Sequence, residues 1–274
     1  MEAAAGFGPR LAGHTAVVVG AGQTPGWAIG NGRATAVQFA RHGARVVLVD
    51  RSAEQLEGTV EMVRAEAPAA QFECVIADVA TDDGPAAVVD AAVAAFGEFD
   101  ILHNNVGIGA GDAPPHVLSD DAYDRIMNVN LRAMWRMCKA AIPELRRSGR
   151  GAIVNVSSLA AVASAGGLTA YRLSKAGVNT LTTSLAITNA KYGVRANAIM
   201  PGFVDTPMGV DAAARALGID RDEYAASRAR QVPLGRQGTA WDVANAAVFL
   251  ASDEAAWVTG VILPVDGGQS IRIG

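Results

Sequence analysis

Apolar residues in this chain fall in short β-branched runs separated by stretches of helical period. Residues 15–20 (TAVVVG) form a compact apolar run that stops at Gly20, the pattern of a buried strand. Residues 31–42 follow with helical spacing and end before Gly43, and 45–50 (RVVLVD) form a second strand. Ser52 and Gln55 have the spacing of a capping box and open a helix. Strand three is expected over 72–77. Thr81, Asp82 and Asp83 then start a helix with acids at its positive end. Strands over 100–103 and 152–156 flank one long helix over about 119–147. A helix over about 170–192 precedes a strand over 194–200, and a helix over 239–251 and a strand over 261–265 close the series. Strand and helix alternate throughout, and the strands are apolar on both faces. That predicts an α/β fold: a Rossmann-type, doubly wound parallel sheet of about seven strands with helices on both faces and ligands at the carboxyl ends of the strands.

No internal repeat appears, and residues 202–227 are the longest place where the pattern weakens. The reading is one domain over 11–274 carrying a substrate loop at about 202–228, preceded by a flexible Gly/Ala-rich tail over 1–10. The tail lacks the basic start and apolar core of a signal peptide, and no apolar run approaches the ~20 residues of a membrane span. Of 274 residues, 50% are hydrophobic and 18% charged, which excludes a disordered chain. A net charge of −4 disfavours nucleic acid as a partner. Two cysteines, Cys74 and Cys138, cannot build a disulfide framework and suit a reducing, cytoplasmic setting. Neither they nor the scattered His14, His42, His103 and His116 have metal-ligand spacing, so no metal is expected. Cys138 reads as a buried small apolar residue.

The turn after the first strand is rich in glycine: Gly20, Gly22, Gly26, Gly30 and Gly32. Such a loop lets the backbone approach a pyrophosphate, and the helix behind it offers free N–H groups; the plainer alternative is a tight strand–helix turn. Asp50 ends the second strand 20 residues after Gly30, the offset of a ribose-binding acid, and favours NAD over NADP. Arg51 beside it either pairs with a 2′-phosphate or is a solvated surface arginine.

Tyr171 and Lys175 lie one helical turn apart, and Lys175 is one of only three lysines. A nearby ammonium lowers the pKa of a phenol toward neutrality, although the pair alone could equally be a surface pair. Ser158 stands thirteen residues before Tyr171, just past the strand over 152–156. This Ser158, Tyr171, Lys175 set resembles the common branch of the short-chain dehydrogenases/reductases, over about 13–268. Further matching segments are Asp78-Val79, Asn104-Asn105-Val106-Gly107, Asn128-Val129-Asn130-Leu131, Asn155-Val156-Ser157-Ser158, Pro201-Gly202-Phe203-Val204-Asp205-Thr206 and Val265-Asp266-Gly267-Gly268.

The resemblance implies roles. Tyr171 would be the general acid/base, Ser158 would orient the substrate oxygen, and Lys175 would lower the Tyr171 pKa and bind the nicotinamide ribose. Asn130 would hold a relay water. Asp78 and Val79 would contact adenine, and Asn104 and Gly107 would line the adenosine side. Pro201 opens the segment in which the Val204 backbone and Thr206 would hold the carboxamide. The loop departs from the family pattern, with nine residues between Gly20 and Gly30 where the common branch has three. That longer spacing is similar to the enoyl-carrier-protein reductase branch, yet Val178 stands where that branch has its lysine, which keeps the expectation on carbonyl and alcohol chemistry. The Gly26–Trp27 backbone would then reach the pyrophosphate with Trp27 shielding it, or the insert is a surface bulge with Trp27 packed on the protein.

The pocket is expected to be bordered by Asp112, Pro114, Pro115 and His116 and walled by 159–168, with Met208 either lining it or packing. The expected function is hydride transfer between NAD(H) and a secondary alcohol or ketone. Two alternatives are an NADPH-dependent 3-oxoacyl-carrier-protein reductase and a non-catalytic dinucleotide sensor or scaffold. The long helices suggest a homo-oligomer, by resemblance a tetramer.

Overall fold

The computed structural model describes residues 8–163 and 166–272. Most of the expected tail (1–7), Ser164 and Ala165 of the expected pocket wall, and 273–274 lie outside the described residues. In chain order the elements are β1 (Thr15–Val19), α1 (Asn31–Arg41), β2 (Arg45–Asp50), α2 (Ala53–Glu66), β3 (Phe72–Ile76), α3 (Gly84–Phe96), β4 (Ile101–Asn104) and α4 (Asp120–Met127). Then come α5 (Ala133–Ser148), β5 (Ala152–Val156), α6 (Ala170–Asn189), β6 (Arg195–Pro201), β7 (Val204–Asp205), α7 (Ala212–Leu217), α8 (Arg221–Ala229), β8 (Gly238–Thr239), α9 (Ala240–Ala251) and β9 (Ile262–Val265).

Seven strands pair in parallel in the order β3-β2-β1-β4-β5-β6-β9, and β7 pairs with β8 apart from them. Strand order reverses between β1 and β4, which opens a crevice at their carboxyl ends. Alternate strand residues feed two cores. Val18, Leu48, Val154 and Ile199 pack on one face with Phe39 of α1, Leu56 of α2 and Val248 of α9. Val17, Val47, Leu102 and Ile153 pack on the other with Val88 of α3, Met137 of α5 and Val178 of α6. This is the doubly wound, single-domain fold that the alternation predicts.

Four local expectations change. The helix over 119–147 is broken into α4 and α5 by a π-type turn at Asn128–Arg132, closed by Ala133 N–H bonding to the Asn128 carbonyl. The weak stretch 202–227 is not irregular: it holds β7, a π-type turn at Pro207–Asp211, α7 and most of α8. Its helices are short and mostly exposed, so they leave little apolar period to read. Only half of the capping box forms. Ser52 Oγ accepts from Gln55 N, while the Ser52 N–H donates to Asp50 Oδ1 at 3.1 Å and not to Gln55. Finally Arg10, expected in the flexible tail, makes two hydrogen bonds to Glu254, at 2.7 and 2.6 Å.

Candidate active site

The glycine loop leaves β1 through Gly20, whose φ of 80° lies in the left-handed region that favours glycine. The Gly20 and Ala21 N–H groups both donate to the Val49 carbonyl at 2.9 Å, which holds the loop against the end of β2. There Asp50 turns one carboxylate oxygen to Gly22 N (3.0 Å) and the other to Ser52 N. α1 begins at Gly30 without a side-chain cap, so its first turn presents N–H groups and the positive end of the helix dipole to the crevice. Gly32 makes the closest approach in the loop: a Cβ there would stand 1.8 Å from the Gly20 carbonyl oxygen. An uncapped helix end, a loop that approaches it too closely at Gly32 for a side chain, and an acid at the tip of β2 together fit the pyrophosphate and ribose of a dinucleotide.

The six-residue insert reaches the segment that follows Thr206. A Cβ at Gly26 would meet the Pro207 ring at 2.6 Å, and Trp27 N donates to Asp211 Oδ1 at 3.2 Å. The Trp27 side chain is 86% exposed, so it is not packed on the protein as the bulge reading required. The insert instead touches the Pro207–Asp211 turn. Arg51 is exposed, as is Asp78, which uses Oδ1 to accept from Ala80 N; Val79 is buried.

At the carboxyl end of β5, Ser158 stands beside Tyr171, and its hydroxyl accepts from Ala160 N. Burial raises the Tyr171 pKa, and the neighbouring Ser158 hydroxyl only partly opposes that rise. The downward shift expected from Lys175 is therefore not the net outcome. Lys175 Nζ lies 5.8 Å from the Tyr171 ring centre and donates to the Val156 carbonyl at 2.8 Å. Its own burial lowers its pKa to about 8, so the ammonium form still dominates at neutral pH. Asn130 is fully buried at the π-type turn. It accepts from Ile108 N (2.8 Å) and donates to Ile108 O (2.9 Å) and Ser174 Oγ (3.1 Å). A Cβ at Gly107 would lie 3.3 Å from Lys175 Nζ and 3.7 Å from Asn130 Oδ1, so this glycine roofs both. The structure thus gathers Asn130, Ser158, Tyr171, Lys175 and Gly107 in one place. Val204 and Thr206 are buried beyond Pro201, where Thr206 Oγ1 accepts from Gly209 N at 3.0 Å.

One expected cleft residue points elsewhere. The Asn104 side chain is buried and donates to Asn155 Oδ1 (2.9 Å) and Cys138 Sγ (3.3 Å) under the sheet. Only its main chain is left for the adenosine side. The Cys138 thiol is buried and pushed up to about 12, which leaves it no thiolate character. Gly32 and Asn105, named in the sequence only as part of the glycine loop and of the 104–107 segment, also hold the turn: Asn105 Nδ2 donates to the Gly20 carbonyl at 3.2 Å, and Gly32 lies against that carbonyl. Asp112, expected at the pocket rim, instead bonds the start of α6. Among the described residues no group of three His, Cys, Asp or Glu could hold a metal, and no helix is long and apolar enough to cross a membrane.

The chain is similar to known proteins along nearly its whole length. The family model described as enoyl-(acyl carrier protein) reductase matches residues 26–270. A cis-4-hydroxycyclohexanecarboxylate dehydrogenase of Sinomonas cyclohexanicum is 40% identical over 96% of this chain and 99% of its own length. A 2,5-dichloro-2,5-cyclohexadiene-1,4-diol dehydrogenase of Sphingobium indicum is 36% identical over 96% of this chain and 99% of its own. The crystal structure of carveol dehydrogenase from Mycobacterium avium in complex with NAD superposes with a TM-score of 0.87 at 29% identity, covering 96% of this chain and 99% of that one. The chain belongs to the short-chain dehydrogenase/reductase family of oxidoreductases.

Proposed function

We propose that this protein is an NAD-dependent dehydrogenase/reductase that interconverts a secondary alcohol and its ketone, with Tyr171 as the general acid/base. The observation that carries the reading is Ser158 beside Tyr171 with the buried Lys175 ammonium 5.8 Å from the Tyr171 ring centre. When bound in the crevice, NAD supplies the carbon that accepts hydride from the carbinol C–H. Ser158 and Tyr171 hold the substrate oxygen from two sides, which fixes the carbinol carbon for transfer. In oxidation the O–H proton passes to Tyr171 as the carbonyl forms; in reduction Tyr171 returns it. Lys175 stabilises the phenolate that oxidation requires and binds the nicotinamide ribose. The Asn130 amide nitrogen spends both hydrogens on Ile108 and Ser174, so a relay water rests on its oxygens.

Asp50 favours NAD, because a carboxylate accepts from the ribose hydroxyls and repels a 2′-phosphate. Asp78, Val79 and the Gly107 backbone receive the adenine side, and the Val204 backbone and Thr206 receive the carboxamide. Both dehydrogenases compared above are named for ring-borne hydroxyl groups, so cyclic secondary alcohols form the substrate class. The cytoplasmic enzyme works as a homo-oligomer, with a tetramer favoured. α6 supports this: Thr180, Ser184 and Thr188 on its exposed face turn their hydroxyls back to main-chain carbonyls, leaving a surface suited to a second copy.

The test is a panel of cyclic and open-chain alcohols and ketones with NAD(H) and NADP(H), run beside Tyr171→Phe. Turnover with NAD that Tyr171→Phe abolishes is expected. Activity in Tyr171→Phe, or a strong NADP preference, would overturn the assignments of Tyr171 or Asp50.

A further inference from the structure

Tyr171 stands in the first turn of α6, where main-chain N–H groups have no partner inside the helix. The N-cap residue Thr169 does not cap with its own hydroxyl, which donates to the Ala113 carbonyl at 2.6 Å. A carboxylate from the loop after β4 does the capping. Asp112 Oδ1 accepts from Thr169 N at 3.0 Å and Ala170 N at 3.1 Å, and Oδ2 accepts from Tyr171 N at 2.8 Å. Oδ1 also accepts from Ala113 N at 2.9 Å, which fixes the carboxylate on its own loop.

We infer that Asp112 is a positioning residue for Tyr171, locking the main chain of the acid/base residue to the loop that follows β4. This rests on the catalytic reading of Tyr171 given above. The Tyr171 carbonyl is held as well, accepting from Ser174 Oγ at 2.7 Å, and Ser174 Oγ is in turn bonded by Asn130 Nδ2. Both polar groups of the Tyr171 main chain are therefore held by side chains. The same loop touches the site at Gly107 above Lys175 and through the paired Ile108–Asn130 bonds. A helix end frays most readily in its first turn, and here that turn carries the residue whose hydroxyl must meet the substrate oxygen. Fixing the turn from outside the helix keeps the phenol beside Ser158.

The experiment compares Asp112→Ala, which removes every bond, with Asp112→Asn. The amide has one accepting oxygen, so it can keep the pair of bonds to Thr169 and Ala170 but then offers N–H to the Tyr171 N–H. Oxidation of cyclohexanol by NAD is followed in the full chain well below each variant's Tm, with rates expressed per NAD bound, and Tyr171→Phe is the reference. Asp112→Ala is expected to lose about 10- to 100-fold in kcat, as misplacement of a reacting group does. Its Kd for NAD should stay within about twofold of wild type. Asp112→Asn should recover part of the Tm and little of the kcat. If Asp112 only capped the helix, both variants would lower Tm and leave kcat per bound NAD within about twofold of wild type, and that result overturns the inference. An unchanged kcat in Asp112→Asn overturns it even if Asp112→Ala does not fold. Full activity in Tyr171→Phe, or no turnover by wild type, overturns the catalytic reading and this inference with it. An inactive Tyr171→Phe beside an active Asp112→Ala overturns the inference alone.

Discussion

Gly32→Ala tests the cofactor cradle most directly. The added methyl would stand 1.8 Å from the Gly20 carbonyl oxygen, where an ordinary contact begins near 3.4 Å, so the start of α1 and the glycine turn must separate by about 1.6 Å. Both are backbone and neither can rotate out of the way. A hydrogen bond that reaches a phosphate oxygen at 2.9 Å is lost at that displacement. One hydrogen bond to a charged group contributes about 1.5–3 kcal/mol, so Kd for NAD should rise by one to two orders of magnitude. Gly30→Ala is the control. Its Cβ would meet only the flexible Gln23 side chain, at 3.5 Å, and its φ of −84° suits alanine. That variant should bind NAD within about threefold of wild type. Overpacking costs Gly32→Ala roughly 1–3 kcal/mol of stability, so calorimetric titration with NAD is run at low temperature and checked for a folded chain. A Kd for Gly32→Ala within threefold of wild type, or equal weakening in both variants, would refute this picture of the loop.

Two predictions concern buried ionisable groups. Burial of Lys175 lowers its pKa from 10.5 to about 8, so the unfolded chain holds more protons than the folded one between those values and stability from this residue rises with pH across that window. Lys175→Met should be inactive yet more stable than wild type at pH 7, by at most roughly 3 kcal/mol less about 1 for the abandoned Val156 carbonyl, with the gap closing toward pH 10; denaturant melts showing a less stable variant at pH 7 would refute this. His103 sits fully buried against Phe39 with neither ring nitrogen bonded among the described residues, and burial pushes its pKa to about 3. The folded chain refuses a proton that the unfolded chain takes up, so stability falls as pH drops from about 6.5 toward 3. His103→Leu should match or exceed wild-type stability at pH 7 and decline less steeply in acid, and an equally steep acid melt would count against it.

What the sequence made legible follows its range of interaction. Strands and long helices were readable because each carries its own period, and Tyr171 with Lys175 because one helical turn joins them. The doubly wound parallel sheet follows from alternation and handed crossovers. Contacts between distant segments left no local trace. Asp112 caps a helix that begins 58 residues later, and Asn104 is drawn under the sheet by Asn155 and Cys138. The helices α7 and α8 were missed because an exposed helix of six or nine residues has too few apolar positions to show a period. The net direction of the Tyr171 pKa was not legible, because spacing reveals the charge nearby and not the water withdrawn.

The π-type turn at Asn128–Arg132 also limits how this chain can vary in length. It admits one residue more than an α-helical turn, and each residue of a helix advances the next by about 100°. Deleting a single residue from 128–132 would leave a continuous, perfectly helical segment. The extra residue is taken up by widening one turn, so the helix after it would keep its phase. Met137, Cys138, Ala141 and Leu145 would stay buried against the sheet, and Cys138 would keep its contact with Asn104. What the deletion removes is the widened turn itself, which carries the buried Asn130. A one-residue deletion along this stretch should therefore spare the core and cost the site.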